Sequence, residues 1–333
     1  MSSPTKRTLA SIDVAAVTAE ALGTEVDPND CEELSGAGFA SVWRIRLADG
    51  TRVVLKTAPA ERARLLRYEH GLLAEEARYY RLVAERADNV PVPAVLFFGG
   101  SPQLGGAPVL LASHLPGRPL SEIGNDAPRD AVDGVREQLG ATVARIHEVT
   151  GTRFGYSGDR PHAATWEDAF AAIIESLLLD ARDWQVELPL SPSELRAVVD
   201  RNRSSLREVS EPALVHFDLW DGNVLVEPGR DRGWSLTGLV DGERCLYGDP
   251  LIDFVSPLLY RRIEDEPLHP FLRGYRSASA TALELSSAAV TRLRLYRAHL
   301  YLVMLVEMPS RGMIDPERHE LLWRLLIGET AEL

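Results

Sequence analysis

The sequence predicts an α+β protein of two lobes, a small N-terminal lobe rich in strands and a larger C-terminal lobe rich in helices. Three observations predict this fold. Alternation of apolar and polar residues is concentrated in the first third of the chain, helical spacing dominates the rest, and Leu115-Pro116-Gly117 interrupts regular structure between them. We place the N-lobe at 1–115, the hinge near 112–117 and the C-lobe at 116–333. The 333 residues can bury a large core without disulfides.

Strands of the N-lobe are predicted from alternation along the chain. Between residues 41 and 56, apolar residues alternate with polar ones on both sides of Asp49-Gly50, a pair that is typical of hairpin turns. This segment is therefore predicted to form two antiparallel strands. Two later apolar runs, at 94–98 and 107–112, predict further strands of the same lobe.

Helices are predicted where apolar residues recur every three or four positions. Residues 61–86 have this spacing between the predicted strands, and Val90-Pro91-Val92-Pro93 ends it. Three clear helical patterns follow in the C-lobe, formed by Val135, Leu139, Val143 and Ile146; by Trp166, Phe170, Ile173 and Leu177; and by Leu293, Tyr296, Leu300 and Val303. An extended, glycine-punctuated stretch at 213–253 precedes the last of them.

Charge and composition exclude several classes of protein. The 36 lysine and arginine residues and 49 aspartate and glutamate residues give a formal net charge of −13, which repels nucleic acids and favours cationic partners. Residues 1–20 lack the apolar core of a signal peptide, and no apolar run approaches the roughly 20 residues that span a bilayer. The two cysteines, Cys31 and Cys245, form no disulfide framework. We therefore expect a cytoplasmic protein that binds neither nucleic acid nor membranes.

The densest cluster of polar residues within apolar sequence lies at 214–226. His216, Asp218 and Asn223 have the spacing H-x-D-x-x-x-x-N, the catalytic-loop pattern of kinases. In that pattern the aspartate accepts or orients the substrate hydroxyl, and the asparagine ligates Mg²⁺. Asp241, after another short apolar run, takes the place of the second metal-binding residue, and hard oxygen ligands suit Mg²⁺. We predict Asp218 as the catalytic residue and Asn223 and Asp241 as metal ligands, the latter within a metal-binding segment at 239–254.

Two alternatives explain the same residues without kinase chemistry. Aspartate and asparagine often cap turns between strands, although their joint spacing here disfavours that interpretation. His216 and Asp218 could instead ligate a catalytic transition metal, but the chain has no H-E-x-x-H pattern and no cluster of histidines and cysteines. His216 is better interpreted as a brace of the loop.

The N-lobe contains the parts that handle phosphate in kinases. Lys56 ends a predicted strand, the position from which a lysine pairs with the α- and β-phosphates. Just upstream, Gly36 and Gly38 would let backbone N–H groups approach phosphate, although a plain hairpin turn also explains this glycine pair. The lysine needs a carboxylate partner on the following helix, and three glutamates are available there: Glu69, Glu75 and Glu76.

At these residues the chain resembles the aminoglycoside phosphotransferase family of small-molecule kinases, which has the two-lobed, protein-kinase-like fold. The resemblance covers about 30–256. Besides the glycine pair and Lys56 it rests on 75-EEARYYRL-82, 90-VPVPAV-95, 110-LLASHLPGRPL-120, 143-VARIH-147, 216-HFDLWDGN-223, 240-VDGE-243 and 248-GDPLID-253. It implies ATP as phosphoryl donor, Asp218 as catalytic base, and Asn223 and Asp241 as Mg²⁺ ligands.

The resemblance also assigns residues around these. Glu76 aligns best with the glutamate that family members place ahead of alanine, an aromatic residue and Arg-Leu. Asp253 is implied as a structural brace beneath the catalytic loop. Adenine is expected at the linker between the lobes, where Ser113 and Leu115 would contact it mainly through backbone groups.

A small acceptor is expected rather than a protein. Only six residues separate Asp241 from Gly248-Asp249-Pro250, and the A-P-E element of protein kinases does not follow. We expect the acceptor pocket to be lined by helical segments, mainly 152–190 and the C-terminal helices. Residues 148–190 include eight acidic and three basic residues. This negative charge suits a cationic acceptor, although a solvated acidic surface explains it equally well.

The expected function is therefore ATP- and Mg²⁺-dependent phosphorylation of a small-molecule hydroxyl. An antibiotic such as an aminoglycoside is the favoured acceptor, with resistance as the consequence. A metabolite, such as an amino sugar, a fructosamine or a choline-like alcohol, is the first alternative. A nucleotide-binding module without transfer activity is the second. Nothing in the sequence predicts the oligomeric state.

Overall fold

The computed structural model describes residues 4–34, 39–60, 62–123, 128–229, 233–280 and 282–333. Its N-terminal part contains the strands β1 (Cys31–Glu33), β2 (Ser41–Arg46), β3 (Arg52–Thr57), β4 (Val95–Ser101) and β5 (Ala107–Ser113). They form one antiparallel sheet of order β1-β2-β3-β5-β4. The hairpin predicted within 41–56 and both later strands are confirmed.

Helix α1 (Ser11–Leu22) covers one face of this sheet. Val14 and Val17 of the helix belong to the same buried cluster as Trp43 and Leu55 of the sheet. Because side chains alternate along a strand, Lys56 points to the opposite face from Leu55. That opposite face is the one turned towards the rest of the molecule.

Helix α2 (Leu72–Arg86) begins later than the helix predicted for 61–86. Gly71, just before it, has φ +79°, a left-handed conformation that stops the helix from starting earlier. The preceding segment is held by the C-terminal part instead. The backbone N–H and the guanidinium of Arg67 both donate to Asp180, at 3.0 and 2.6 Å. Leu66 is fully buried there, so its apolar character reflects burial in a docked turn and not a helix.

Helices dominate the chain after Ser113, where it leaves the five-stranded sheet. They are α3 (Leu120–Ile123), α4 (Arg129–His147), α5 (Trp166–Asp183), α6 (Pro192–Arg201), α7 (Arg203–Leu206), α8 (Pro270–Ala278), α9 (Ser287–Ser310) and α10 (Pro316–Ala331). Helices α4, α5 and α9 confirm the three predicted helical patterns. Helices α4 and α8 pack closely at Gly140 and Gly274, where a Cβ would overlap the backbone of the other helix.

Short strands complete the C-terminal part. They are β6 (Arg118–Pro119), β7 (Phe154–Gly155), β8 (His162–Ala163), β9 (Ala213–Val215), β10 (Val224–Pro228), β11 (Trp234–Leu239) and β12 (Leu246–Gly248). They form two sheets, β11-β10-β6 and β8-β7-β12-β9. Strands β9 to β12 confirm the extended stretch predicted at 213–253.

The segment 152–190 is only partly helical, which corrects the prediction of a helical lining there. Its first part forms β7 and β8, and Gly155 of β7 has φ +99°, outside the range of a helix. Helix α5 begins at Trp166, where the Thr165 side chain accepts a hydrogen bond from the Asp168 N–H.

One large hydrophobic cluster connects the two parts of the molecule. It includes Tyr79 and Val83 of α2, Leu139 of α4, Phe170 of α5 and Leu300 of α9. Within the described part of the chain, no helix is both long and apolar enough to cross a membrane.

Candidate active site

Lys56 lies at the junction of the two parts, between a carboxylate from each. Its Nζ donates to Glu76 Oε1 of α2 at 2.6 Å and to Asp241 Oδ1, two residues after β11, at 2.5 Å. Burial alone would lower the pKa of Lys56, but the charges of Asp241 and Glu76 raise it well above its usual value. The ammonium group therefore stays charged and is held in one position.

Tyr80 connects this lysine cluster to the backbone that carries Asp241. The Tyr80 hydroxyl donates to Glu76 Oε1 at 2.5 Å and accepts a hydrogen bond from the Asp241 N–H at 3.0 Å. Glu76 and Tyr80 are four residues apart, so they lie on the same side of α2. One helix face thus positions both the lysine and the start of the metal-binding segment.

The other two glutamates considered as partners of Lys56 lie elsewhere. Glu69 pairs with Arg311 at 2.7 Å, and Glu75 pairs with Arg78 at 2.8 Å. Of the three candidates, Glu76 is the one that the structure brings to Lys56.

The backbone around Asp241 turns sharply. Asp241 has φ +66° and ψ 40°, a left-handed conformation that residues other than glycine adopt infrequently. At the next residue, Gly242, a Cβ would overlap the ring of Tyr79 on α2. The Asp241-Gly242 pair therefore lets this turn pass directly beneath α2 while its carboxylate reaches Lys56.

Asp253 holds the catalytic loop from below. The carboxylate is fully buried and accepts hydrogen bonds from the backbone N–H groups of His216, at 2.8 Å, and Phe217, at 2.6 Å. His147 Nε2 of α4 lies 3.1 Å from the same carboxylate. Phe217 has φ +67°, so these bonds fix a tight bend just before Asp218. This is the bracing position that the resemblance implied.

His216 belongs to the frame of the same loop. Its Nδ1 accepts a hydrogen bond from the Asp218 N–H at 3.2 Å, which assigns the proton to Nε2, 3.0 Å from the Val240 carbonyl oxygen. Both ring nitrogens are therefore engaged, which disfavours His216 as a transition-metal ligand. The ring joins the loop to the strand end before Asp241.

Asp218 has a carboxylate that is partly accessible, with 23% of its side chain exposed. Among the described residues, none donates a hydrogen bond to it, and Arg244 Nε lies 3.6 Å from Oδ2. Burial raises the pKa of Asp218, whereas Arg244 lowers it. Such a carboxylate is available to accept a proton from a hydroxyl group.

Helix α9 supplies the partner of Arg244. Glu307 Oε1 lies 2.8 Å from the Arg244 guanidinium and accepts a hydrogen bond from the Tyr68 hydroxyl. The Arg244 guanidinium also lies 5.8 Å from the centre of the Tyr68 ring. Glu307 and Tyr68 therefore hold Arg244 beside Asp218.

Oxygen atoms suited to a divalent cation lie close to Asp218. Asn223 Nδ2 donates to the Asp218 carbonyl oxygen at 2.8 Å, which leaves the Asn223 Oδ1 as an acceptor. Carboxylate oxygens of Glu76, Asp241 and Glu243 lie within 4.8 Å of one another. Burial, and next the charge of Asp241, raises the pKa of Glu243 to about 8. A set of carboxylate and amide oxygens with unfavourable mutual charge fits Mg²⁺.

Some of the groups predicted to contact the nucleotide at the linker form hydrogen bonds within the sheet instead. The Ser113 N–H donates to the Ala94 carbonyl at 2.8 Å, and the Ser113 hydroxyl accepts a hydrogen bond from the Ala94 N–H at 2.9 Å. Leu115 contacts Gly238 of β11. Nucleotide contacts by Ser113 and Leu115 stay a prediction, and Gly36 and Gly38 lie outside the described residues.

Sequence reasoning missed the residues around Asp218 that come from distant segments. Tyr80 carries a recognisable signal, since it follows Glu76 at helical spacing in the motif 75-EEARYYRL-82. Arg244 directly follows Glu243 in the metal-binding segment. Glu307 has no local signal, because it reaches the site only through the packing of α9.

Three features together define a kinase-like phosphotransferase. They are a strand lysine paired with a helix glutamate, a braced loop with an accessible aspartate, and a neighbouring turn rich in oxygen ligands. Comparison with known proteins supports this class. The family model described as "Phosphotransferase enzyme family" matches residues 30–286. The chain therefore belongs to this family, and it is a phosphotransferase with the two-lobed kinase-like fold.

Individual relatives are distant. A 4-hydroxytryptamine kinase of Psilocybe cyanescens is 26% identical over 261 residues, which is 70% of this chain and 67% of that protein. Among solved structures, a protein assigned as a fructosamine-3-kinase of Thermobifida fusca has a TM-score of 0.67 and 21% identity, covering 96% of this chain and 99% of that one. A thermostable mutant of the aminoglycoside phosphotransferase APH(4)-Ia has a TM-score of 0.64 and 20% identity, covering 96% and 98%.

Proposed function

We propose that this protein transfers the γ-phosphoryl group of ATP to a hydroxyl group of a small, amine-bearing alcohol, with Mg²⁺ as cofactor. The observation that carries the proposal is the convergence of Lys56, Asp218 and Asp241 at one junction, each held by its own partners. Phosphoryl transfer needs mainly positioning and electrostatic stabilisation, and this junction supplies both.

Each residue has a role that follows from its contacts. The Lys56 ammonium, fixed by Glu76, pairs with phosphate oxygens of the nucleotide. Asp218 accepts the hydrogen bond of the attacking hydroxyl and takes its proton as the phosphorus–oxygen bond forms. The braces from Asp253 and His216 keep the Asp218 backbone from moving. Arg244, beside Asp218, offers positive charge near the transferred group.

Asn223 and Asp241 would hold the metal ion, and Glu243 is a further oxygen ligand that the sequence interpretation did not include. When bound, Mg²⁺ neutralises the charge that accumulates on phosphate oxygens during transfer. Asp241 also pairs with Lys56 at 2.5 Å. Nucleotide binding is therefore expected to loosen this ion pair, because metal and phosphate each supply a partner of opposite charge.

An amine on the acceptor suits the charges of the cleft. Six carboxyl groups lie at or next to the junction with three cations; the residues are Glu69, Glu76, Asp218, Asp241, Glu243 and Glu307, with Lys56, Arg244 and Arg311. Burial raises the pKa of Glu69 to about 7 and that of Glu243 to about 8, so the other four carboxylates carry the negative charge against the three cations. This excess of negative charge attracts an ammonium group. Trp220, two residues after Asp218 and 44% exposed, offers a flat apolar surface close by.

The relatives agree on an amine-bearing acceptor but not on its source. Hydroxytryptamines, fructosamines and aminoglycosides are the compounds that their names point to, and all carry an amine. An antibiotic, with resistance as the outcome, and a metabolite are therefore two sources of one acceptor chemistry. Cytoplasmic location is part of this proposal, since ATP and Mg²⁺ are abundant there.

The experiment that tests the proposal is a coupled ADP-release assay with Mg·ATP. The acceptor panel contains aminoglycosides, 4-hydroxytryptamine, fructosamines, amino sugars and choline, together with amine-free analogues of each. We expect ADP release that depends on one compound class, requires the amine and stops when Mg²⁺ is chelated. A hit among antibiotics alone identifies a resistance enzyme, and a hit among metabolites alone identifies a metabolic kinase. The proposal is contradicted if the protein binds ATP without an acceptor and releases no ADP with any compound of the panel.

A further inference from the structure

His299, in the middle of α9, is a buried polar side chain without a partner. It is 1% exposed, and neither ring nitrogen has a hydrogen-bond partner among the described residues. Unpaired polar groups are uncommon in protein interiors, because burial removes their hydrogen bonds to water. Burial also lowers the pKa of His299 to about 3, so the ring is neutral and offers one donor and one acceptor.

The His299 ring borders a cavity of about 10 Å³ between α5, α9 and the catalytic loop. Its lining includes Tyr68, Tyr156, Leu177, Phe217 and Val303. This volume is about that of one water-sized group. The lining is mainly apolar but also includes Ser176, and the unsatisfied imidazole on its wall matches a small group that donates or accepts a hydrogen bond.

The cavity lies next to the loop that carries Asp218, because Phe217 is one of its lining residues. The His299 ring stacks on Phe217, which precedes Asp218, with ring centroids 4.9 Å apart and planes inclined by 5°. His299 and Glu307 are two helical turns apart on the same face of α9. Glu307 holds Arg244 beside Asp218, so the same helix face leads from the cavity to the reacting carboxylate.

We infer that His299 is a specificity-determining residue that hydrogen-bonds a second hydroxyl group of the acceptor, seated in this cavity while the first hydroxyl faces Asp218. The inference rests on the proposed function and names a finer substrate class: alcohols with two hydroxyl groups separated by an apolar frame. A hydroxyl fits because it can either accept a hydrogen bond from the N–H of the neutral ring or donate one to the other ring nitrogen. Tyr68 and Phe217, which line the cavity, would contact the carbon frame between the two hydroxyls.

The test compares three variants with the wild type. His299→Phe keeps a flat ring against Phe217 and removes both nitrogens, whereas His299→Gln keeps a donor and an acceptor. His319→Phe is the matched control, because His319 lies on α10 beside Trp323, away from the cavity. Each variant is assayed for kcat and for the KM values of acceptor and ATP, using the acceptor that the panel identifies and its analogue lacking the second hydroxyl.

We expect His299→Phe to raise the KM of the acceptor about tenfold and to leave the KM of ATP nearly unchanged. His299→Gln should recover part of the loss, and His319→Phe should behave as wild type. The analogue lacking the second hydroxyl should lose affinity for the wild type but show no further loss with His299→Phe. An unchanged acceptor KM in His299→Phe overturns the inference and leaves the ring a purely structural group.

Melting temperatures separate this inference from the proposed function and check folding. Failure of the proposed function appears as a wild type without any Asp218-dependent ADP release. In that case the panel compounds are tested for the rise in melting temperature that they cause. A rise in wild type that is absent in His299→Phe and restored in His299→Gln supports the cavity as a hydroxyl site. A panel in which no compound raises the melting temperature of the wild type overturns it.

Discussion

At the scale of single residues, two neighbouring tyrosines on α2 have opposite hydrogen-bonding states. The Tyr80 hydroxyl has a donor and an acceptor partner, at Asp241 and Glu76. The Tyr79 hydroxyl is buried without a partner among the described residues. The two therefore form a natural pair for measuring what the Tyr80 link contributes.

Tyr80→Phe is expected to lower the free energy of unfolding by about 1–2 kcal/mol, because the Asp241 N–H and Glu76 lose a partner. The KM of ATP should rise as well, since Lys56 and Asp241 are less well fixed. Tyr79→Phe should change neither quantity by much, because no hydrogen bond is lost. Urea unfolding and steady-state kinetics measure both. Equal effects of the two substitutions would contradict the role given to Tyr80.

His299 predicts a pH dependence of stability. Its pKa is near 6.5 in the unfolded chain and about 3 in the folded protein, so acid protonates the unfolded state first. The stabilising contribution is complete above about pH 6.5 and is lost as the pH falls, by about 2 kcal/mol at about pH 5. Tyr68, Tyr156 and Arg244 are the other titratable groups facing the ring, and none of them changes charge in this range.

The His299→Phe variant isolates this effect. Its free energy of unfolding should fall less between about pH 7 and pH 5 than that of the wild type, by about 2 kcal/mol. Urea unfolding at a series of pH values measures the difference. Parallel curves for the two proteins would mean that His299 is protonated or exposed in the folded state.

At the scale of secondary structure, α9 lines one side of the candidate active site. Glu307 pairs with Arg244 at 2.8 Å, and Arg311, one turn later, pairs with Glu69 at 2.7 Å. Arg311 also lies 4.3 Å from the centre of the Phe39 ring, next to the glycine-containing segment of the N-lobe. The C-terminal end of this helix thus contacts both Arg244, the neighbour of the proposed catalytic aspartate, and the N-lobe.

Glu307→Gln is expected to destabilise the protein by about 3 kcal/mol, because it leaves Arg244 less compensated inside the protein. It should also lower kcat, since Arg244 is then free to pair more closely with Asp218 and weaken it as a base. Glu320→Gln on α10 is the control. Its ion pair with Arg324 spans 3.9 Å and is mostly exposed, so we expect a change below about 0.5 kcal/mol. Similar losses from both substitutions would contradict the role of Glu307.

A helix or strand could be predicted from the sequence when the interactions that form it lie within its own segment. The β2-β3 hairpin and helices α4 and α5 follow from periodicity, because each buries one face along its own length. Helix α9 has the same spacing but is buried on all sides from Leu295 to Val306. The start of α2 could not be predicted in this way. Its preceding turn is fixed by Asp180, more than a hundred residues later in the chain.

The residues of the active site also divide into those with a local sequence signal and those without one. Lys56, Asp218, Asn223 and Asp241 could be proposed from the sequence because each lies in a short motif with a fixed spacing. Glu307 and His299 could not, because nothing in their neighbourhood on α9 differs from ordinary core and surface positions. Only the packing of α9 against the catalytic loop gives them a position near Asp218.

At the scale of the whole molecule, the Arg67–Asp180 contact docks the segment before α2 onto α5. Asp180 has 3% of its side chain exposed and accepts two hydrogen bonds from Arg67, one from the backbone N–H and one from the guanidinium. Asp183 adds a second carboxylate to the same guanidinium at 2.6 Å. Loss of this contact should loosen the N-lobe against the C-lobe.

Asp180→Ala is expected to cost about 1–3 kcal/mol and to increase hydrogen exchange in the segment at 62–71, because the Arg67 N–H loses its acceptor. Glu175→Ala on the same helix removes an exposed ion pair with Arg196 and should cost less than about 0.5 kcal/mol. Hydrogen exchange followed by mass spectrometry measures the local effect. Unchanged exchange in that segment would show that other contacts hold the lobes together.

The measurement that tests the central claim most directly is phosphoryl transfer by Asp218→Asn compared with Asp221→Asn. Both aspartates lie in the catalytic loop, but Asp221 pairs with Arg136 at 2.8 Å, and Asp218 has an accessible carboxylate. We predict that Asp218→Asn lowers kcat about 10²–10⁴-fold with little change in ATP affinity, whereas Asp221→Asn keeps most of its turnover. Near-normal turnover in Asp218→Asn would contradict the assignment of Asp218 as the catalytic base.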